Sequence, residues 1–197
     1  MSTITTDLRR RGLRLEYLTI GWNVLEGIVA IASGVAAGSV ALVVFGLDSF
    51  IEVGAAGVVV WELKGIDENR EKKALRIIGA TFFVLAGYVA ITATRDLLLR
   101  ERPSESVPGL VLAAASLLVM PGLAWAKRRT GKRLGSATLV ADSAETLLCS
   151  YLSAILLVGL ALNAAFGWWW ADPLAAYGIA VLAVREGREA WRGDTCC

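Results

Sequence analysis

From Gly38 to Val60 the chain is apolar except for two serines and two carboxylates, Asp48 and Glu52. A carboxylate in such a run costs several kcal/mol unless something neutralises it, so few folds accommodate it without a functional reason. The run is one of six. The others cover 15–36, 74–98, 107–126, 136–162 and 172–190, beside 39–62 for the run itself. Several reach about 20 residues, enough to cross a hydrocarbon core of ~30 Å. With 56% hydrophobic residues and a mean hydropathy of +0.59, the 197-residue chain is too apolar for an ordinary soluble domain. The expected fold is an all-α polytopic membrane protein of six transmembrane helices.

The breaks between the runs carry loop chemistry: GVAAGS, KGIDENREKK, RERPSESVPG, KRRTGKR and NAAFGWWWADP. With the N-terminus on the cytoplasmic side, only Arg95, Arg100 and Arg102 fall outside, and the other 17 of the 20 basic residues lie inside. That asymmetry sets the orientation and puts both termini in the cytoplasm. The opening stretch MSTITTDLRRRGLRL is polar and basic, without the apolar core and small-residue cleavage site of a secretory leader. The expected organisation is a cytoplasmic segment 1–14, a six-helix transport domain 15–190 and a short cytoplasmic tail 191–197.

Several features have structural explanations. Trp168, Trp169 and Trp170 suit an aromatic belt at the outer interface. Asp172 before Pro173 reads as an N-cap followed by proline at the first helical position. Pro121 is expected to kink the fourth helix. Glu16 and Glu62, near the ends of their runs, are expected to snorkel toward the interface.

An ungapped repeat surrounds the carboxylates. GSVALVVFGLDSFIE (38–52) aligns with GSATLVADSAETLLC (135–149), matching Gly38 to Gly135, Ser39 to Ser136, Leu42 to Leu139 and Val43 to Val140. In the same register Asp48 meets Glu145 and Glu52 meets Cys149. The two segments are helices two and five, so the repeat unit has three helices and its second copy is inverted in the membrane, a recurring transporter plan with its site at mid-depth. Asp48 and Glu145 each lie ten residues into their runs, from opposite sides. At 1.5 Å per residue that is ~15 Å, about half the core. Asp48 and Glu52 are four residues apart, as are Glu145 and Cys149, so each pair shares a helix face.

If those faces meet, three carboxylates and a thiol converge, the usual ligand number for a tetrahedral divalent cation. Asp142, one turn nearer the cytoplasm, is an entrance ligand or a neighbouring group. Glu26, with Asn23 one turn before it, is a further ligand, a proton carrier or a hydrogen-bond partner. Alternatively Asp48 and Glu52 line a water-filled vestibule, and Cys149 is a small buried apolar residue. Cys196 and Cys197 end the chain as adjacent thiols. Histidine is absent, and three cysteines do not make a disulfide framework.

At these residues the sequence resembles the cation diffusion facilitator, or cation efflux, family. Ser39, Ala41 and Leu42 match the start of the family's helix-two pattern, with Asp48 and Glu52 at its two ligand positions. Ser136, Leu139 and Asp142 match in helix five, where Glu145 takes the usual histidine position and Cys149 the usual aspartate position. The Asp172–Pro173 opening of helix six is also similar. Phe45 replaces the early aspartate of helix two, and KRRTGKR stands where some members carry a histidine-rich loop. The resemblance implies a short form with the transmembrane domain only, and a homodimer that exchanges a divalent metal for protons.

The expected function is therefore divalent transition-metal transport by metal/proton antiport, with metal ligands Asp48, Glu52, Glu145 and Cys149. The thiolate favours Zn²⁺, with Cd²⁺, Co²⁺, Fe²⁺ and Mn²⁺ as alternatives. No permanent cofactor and no nucleic-acid partner are expected; the partners are the bilayer, the metal, protons and a second copy. Two rival readings are a metal-binding or regulatory membrane protein without transport and a proton-coupled carrier of a small organic cation. An enzyme is disfavoured, because no nucleophile–base constellation is recognisable. High Ala, Gly and Arg content suits a bacterial inner membrane.

Overall fold

A computed structural model describes residues 3–37, 40–65, 68–100, 107–166, 168 and 170–192. The chain forms six helices: α1 (Thr3–Ala37), α2 (Val40–Lys64), α3 (Glu68–Leu99), α4 (Val107–Leu134), α5 (Ala137–Phe166) and α6 (Ala171–Arg192). The six apolar runs correspond to them in order. Four helices contain long apolar windows, with at most two charged residues each, that meet the length and hydropathy needed to cross a bilayer, judged on the described residues: α1, α3, α4 and α5.

The helices extend past the apolar runs into the basic flanks, and some expected loops are not loops. The N-terminal segment is helical from Thr3, and α3 starts at Glu68, within the KGIDENREKK break. KRRTGKR is the last part of α4. The real break between α4 and α5 is Gly135, in the left-handed region at φ 74°. There the Ser136 amide donates to the Gly131 carbonyl at 3.1 Å, the Schellman closure of a helix C-terminus. Ser136 then caps the next helix, its hydroxyl accepting from the Leu139 amide at 3.2 Å. α4 runs through Pro121 as one helix. α6 begins at Ala171, so Asp172 and Pro173 stand in its first turn; the Asp172 side chain, Trp169, Cys196 and Cys197 lie outside what the structure describes. Trp168 and Trp170 stack at 5.6 Å and are about half-exposed, as an interfacial belt requires.

The pattern of burial is that of a membrane protein. Leu118 is 82% exposed, whereas Glu16, Asn23, Glu26, Lys127 and Asp142 are fully buried. Many large apolar side chains face outward to lipid, and the buried polar ones share the interior with an apolar core that includes Ile78, Phe82 and Leu139. Buried hydroxyls donate back to their own helix, Thr19 to Leu15 O at 3.1 Å and Ser153 to Cys149 O at 3.0 Å, as a medium without water demands.

α1 packs chiefly on α2, α3 on α6 and α4 on α5. Reciprocal glycine pairs let backbones touch at two of these seams. A Cβ on Gly46 would lie 2.9 Å from the Gly27 carbonyl oxygen, and a Cβ on Gly79 would lie 3.0 Å from that of Gly187. The helices alternate in direction: Gly12, near the start of α1, meets Leu63 at the end of α2, and Gly131, near the end of α4, meets Val140 at the start of α5. One end of the bundle therefore collects the start of α1, the end of α2, the end of α4 and the start of α5. By the distribution of basic residues it is the cytoplasmic end.

Gly46→Ala is expected to destabilise the purified protein by about 1–3 kcal/mol, because rigid backbone stands where the methyl would go. Gly57→Ala, where a Cβ meets nothing within 4 Å, is expected to be neutral or slightly stabilising. Thermal unfolding of both variants in detergent checks the contrast.

Candidate functional site

Helix periodicity turns the carboxylates of α2 inward, and the antiparallel run of α5 brings its own acid and thiol to the same level. Asp48, Glu52, Glu145 and Cys149 are all buried, at 5% exposure or less. The Cys149 thiol lies beside both the Asp48 and the Glu52 carboxyls. Glu52 also lies beside Thr146, and Glu145 is within electrostatic range of Asp48, Glu52 and Asp142 while facing Thr81 of α3. Of the residues expected from the repeat, Cys149 stands beside both α2 acids.

The four side chains share a level without forming a closed shell. Among the described residues no three Asp, Glu or Cys groups stand close enough together to hold one ion. Both carboxylate oxygens of Glu52, of Glu145 and of Glu26 are buried without a hydrogen-bond partner, as is Oδ1 of Asp142. A buried carboxylate without a partner is strongly disfavoured, and either a cation or a proton relieves it.

Glu26 and Asn23 line the same interior from α1. The Ser116 hydroxyl of α4 and the Trp22 indole lie beside Glu26, but neither reaches hydrogen-bonding geometry. Asn23 donates its amide to the Thr19 carbonyl at 3.1 Å and leaves Oδ1 unpaired. Ser116 is a polar group of this interior that no sequence motif singled out.

Asp142 is fully buried and is not free. Lys127 Nζ forms an ion pair with it, stands 3.1 Å from Glu16 Oε2 and donates to Thr146 Oγ1 at 3.1 Å. The Glu16 contact is coulombic, since neither of its oxygens receives a well-directed hydrogen bond. Three expectations are corrected here. Glu16 does not snorkel: it is fully buried and ion-paired. Lys127, read as a cytoplasmic flanking charge, is fully buried within α4. It continues one buried stripe of α4, formed by Gly109, Ala113, Ser116, Met120, Ala124, Lys127 and Gly131 at three- and four-residue spacing. Glu62 is half-buried, accepting from the Thr138 hydroxyl at 2.8 Å rather than reaching for solvent.

A cleft of about 620 Å³, counted to its open mouth, leads to Asp48. Phe45 of α2, Leu85, Tyr88 and Thr92 of α3, Leu152 of α5 and Pro173 of α6 are among its walls. Thr92 and Pro173 lie toward the end of α3 and the start of α6, so the cleft opens on the side opposite the cytoplasm. The Lys127 cluster lies on the cytoplasmic side of the same acids.

Glu145→Gln is expected to raise the stability of metal-free protein by about 1–3 kcal/mol, since it removes an unpartnered buried charge. Thermal unfolding in chelator at alkaline pH measures this. A fall in stability would mean that the carboxylate anchors α5 to α3 through Thr81.

Comparison with known proteins agrees with this architecture. The family model of the cation efflux transmembrane domain matches residues 75–192, more than half of the chain, including Asp142, Glu145 and Cys149. The uncharacterized transporter sll1263 of Synechocystis sp. (strain ATCC 27184 / PCC 6803 / Kazusa) is 30% identical over 166 residues, covering 79% of this chain and 54% of that relative. The chain thus spans about half the length of the curated relative it matches.

Proposed function

This chain belongs to the cation efflux family, and from that premise we propose that it carries a divalent transition-metal cation across the membrane by alternating access, in exchange for protons. The observation that carries this reading is the pair of buried, unpartnered carboxylates Glu52 and Glu145 on facing helices α2 and α5, with Asp48 beside them lining a cleft. Such groups are stable inside a membrane only if a cation or protons neutralise them in turn, and that alternation is the basis of an antiport cycle.

In this mechanism Asp48, Glu52, Glu145 and Cys149 close around the metal, with small rotations of α2 against α5 completing the shell. Asp142 receives the ion on the cytoplasmic side. Glu26 and Asn23 support the far side of the site or take up a proton. When the site opens outward through the cleft, protons compete for the carboxylates and release the metal. The thiolate favours Zn²⁺ or Cd²⁺ over Mn²⁺, while the three hard oxygen donors keep Co²⁺, Fe²⁺ and Mn²⁺ in range. A homodimer in a bacterial inner membrane is part of the same reading.

A second reading has one observation in its favour. The cleft walls are mostly apolar and aromatic around two carboxylates, with Phe45, Leu85 and Tyr88 near Asp48 and with Asp96 also in the lining. That combination also suits a small organic cation. Inhibition of metal flux by millimolar alkylamines would favour it.

Asp48→Ala is expected to lower Zn²⁺ flux into proteoliposomes by more than about 100-fold, as loss of a ligand exceeds the 10–100-fold effect of an outer partner. Lower pH on the metal side is expected to weaken binding, because protonated carboxylates no longer coordinate. Flux that ignores pH would refute the antiport. Cys149→Asp is expected to shift preference from Zn²⁺ and Cd²⁺ toward Mn²⁺ in competition flux assays; unchanged selectivity would remove Cys149 from the site.

A further inference from the structure

We infer that Lys127 is a tethered cation that latches the cytoplasmic side of the transport path, and that an ion arriving from that side has to displace its ammonium from Asp142. The cargo in this inference rests on the metal-transport reading above; the latch itself rests on geometry.

Lys127 is fully buried and ties three helices together. From α4 it holds Glu16 of α1 at 3.1 Å and Asp142 of α5 by an ion pair, with Thr146 of α5 as a third partner at 3.1 Å. Lys127, Glu16 and Asp142 lie on the cytoplasmic side of Cys149, and Thr146 stands level with Glu145. Glu52 is also within electrostatic range of the Lys127 ammonium, so the cation borders the acids assigned to the metal. The cluster joins the cytoplasmic halves of α1, α4 and α5 directly beside those acids.

The inverted repeat supplies an independent comparison. Asp142 aligns with Phe45 in the ungapped register. On the Phe45 side a cleft reaches Asp48. On the Asp142 side the corresponding position is occupied by an ion pair. Two copies of one motif therefore differ at the position that faces each entrance: the open side carries an apolar wall and the closed side a charge latch. Lys127 has no counterpart in the aligned segments. A metal ion that takes Asp142 replaces one positive charge with another, so the ammonium is released while the carboxylate stays paired. That exchange opens the cytoplasmic side without leaving Asp142 buried and unpaired, the arrangement that is most strongly disfavoured.

The test uses Cys149 as reporter in the full chain, with Cys196 and Cys197 replaced by serine, in membrane vesicles of both orientations. A small, charged, membrane-impermeant methanethiosulfonate is applied from either face. With Lys127 intact, modification of Cys149 is expected to be faster from the outer face. In Lys127→Met the cytoplasmic rate is expected to rise at least about tenfold, since loss of a buried ion pair shifts an equilibrium by more than that. Glu16→Gln/Lys127→Met removes one charge of each sign and is expected to open the same side, which decides the matter where the single variant fails to fold. Lys132→Met, at an exposed position of the same helix, is expected to leave the rate unchanged. A cytoplasmic rate that stays at the Lys127-intact value in the single or the double variant overturns the latch. Zn²⁺ added to the Lys127-intact protein separates the two readings. Protection of Cys149 with no effect of Lys127 would sink the latch alone. An effect of Lys127 without protection would leave the latch and sink the metal site.

Discussion

Charge held in the middle of a bilayer must be neutralised, and the whole arrangement of this protein follows from how that is done. Hydrocarbon offers a carboxylate no hydrogen-bond donor and almost no dielectric screening. The bundle therefore turns inside out relative to a soluble fold, with leucines such as Leu118 on the outside and Glu16, Glu26, Asp48, Glu52, Asp142 and Glu145 within. Two solutions to the same problem stand side by side in its interior. On the cytoplasmic side a lysine is built in and Asp142 is paired. At mid-depth and toward the cleft, Glu26, Glu52 and Glu145 have no built-in partner. The first solution is covalently tethered and cross-links helices; the second invites something exchangeable.

Close helix packing makes that interior possible. Gly27 against Gly46 and Gly79 against Gly187 bring backbones into contact, so α1 and α2, and α3 and α6, behave as tightly joined pairs. Alternating access needs rigid pairs that move against each other and seams that can change. The seam between α2 and α5, where the acids and the thiol meet, lacks a reciprocal glycine contact among the described residues. It also carries the polar groups assigned to the proposed transport path.

The family match and the geometry inform each other at one point in particular. The matched domain begins at residue 75, so it includes the α5 half of the site and leaves out the α2 half. Asp48 and Glu52 enter by packing: both sit beside the Cys149 thiol of the matched helix.

The sequence alone determined the number and order of the helices, because a bilayer of fixed thickness admits only apolar runs of about 20 residues and basic flanks mark their cytoplasmic ends. It also determined that Asp48 with Glu52 and Glu145 with Cys149 share faces, since helical periodicity is local. Helix ends were less legible. KRRTGKR looks like a loop by polarity, but helical hydrogen bonding continues until Gly135 adopts a left-handed conformation. The burial of Lys127 and Glu16 is hidden from the sequence for a related reason. Each lies near the end of an apolar run, where composition predicts snorkelling, and only contact between α1, α4 and α5 decides that the two charges turn inward and meet. Pairing across helices is a property of three-dimensional packing. The chain's local pattern sets which face a residue occupies, and the tertiary structure decides what that face meets.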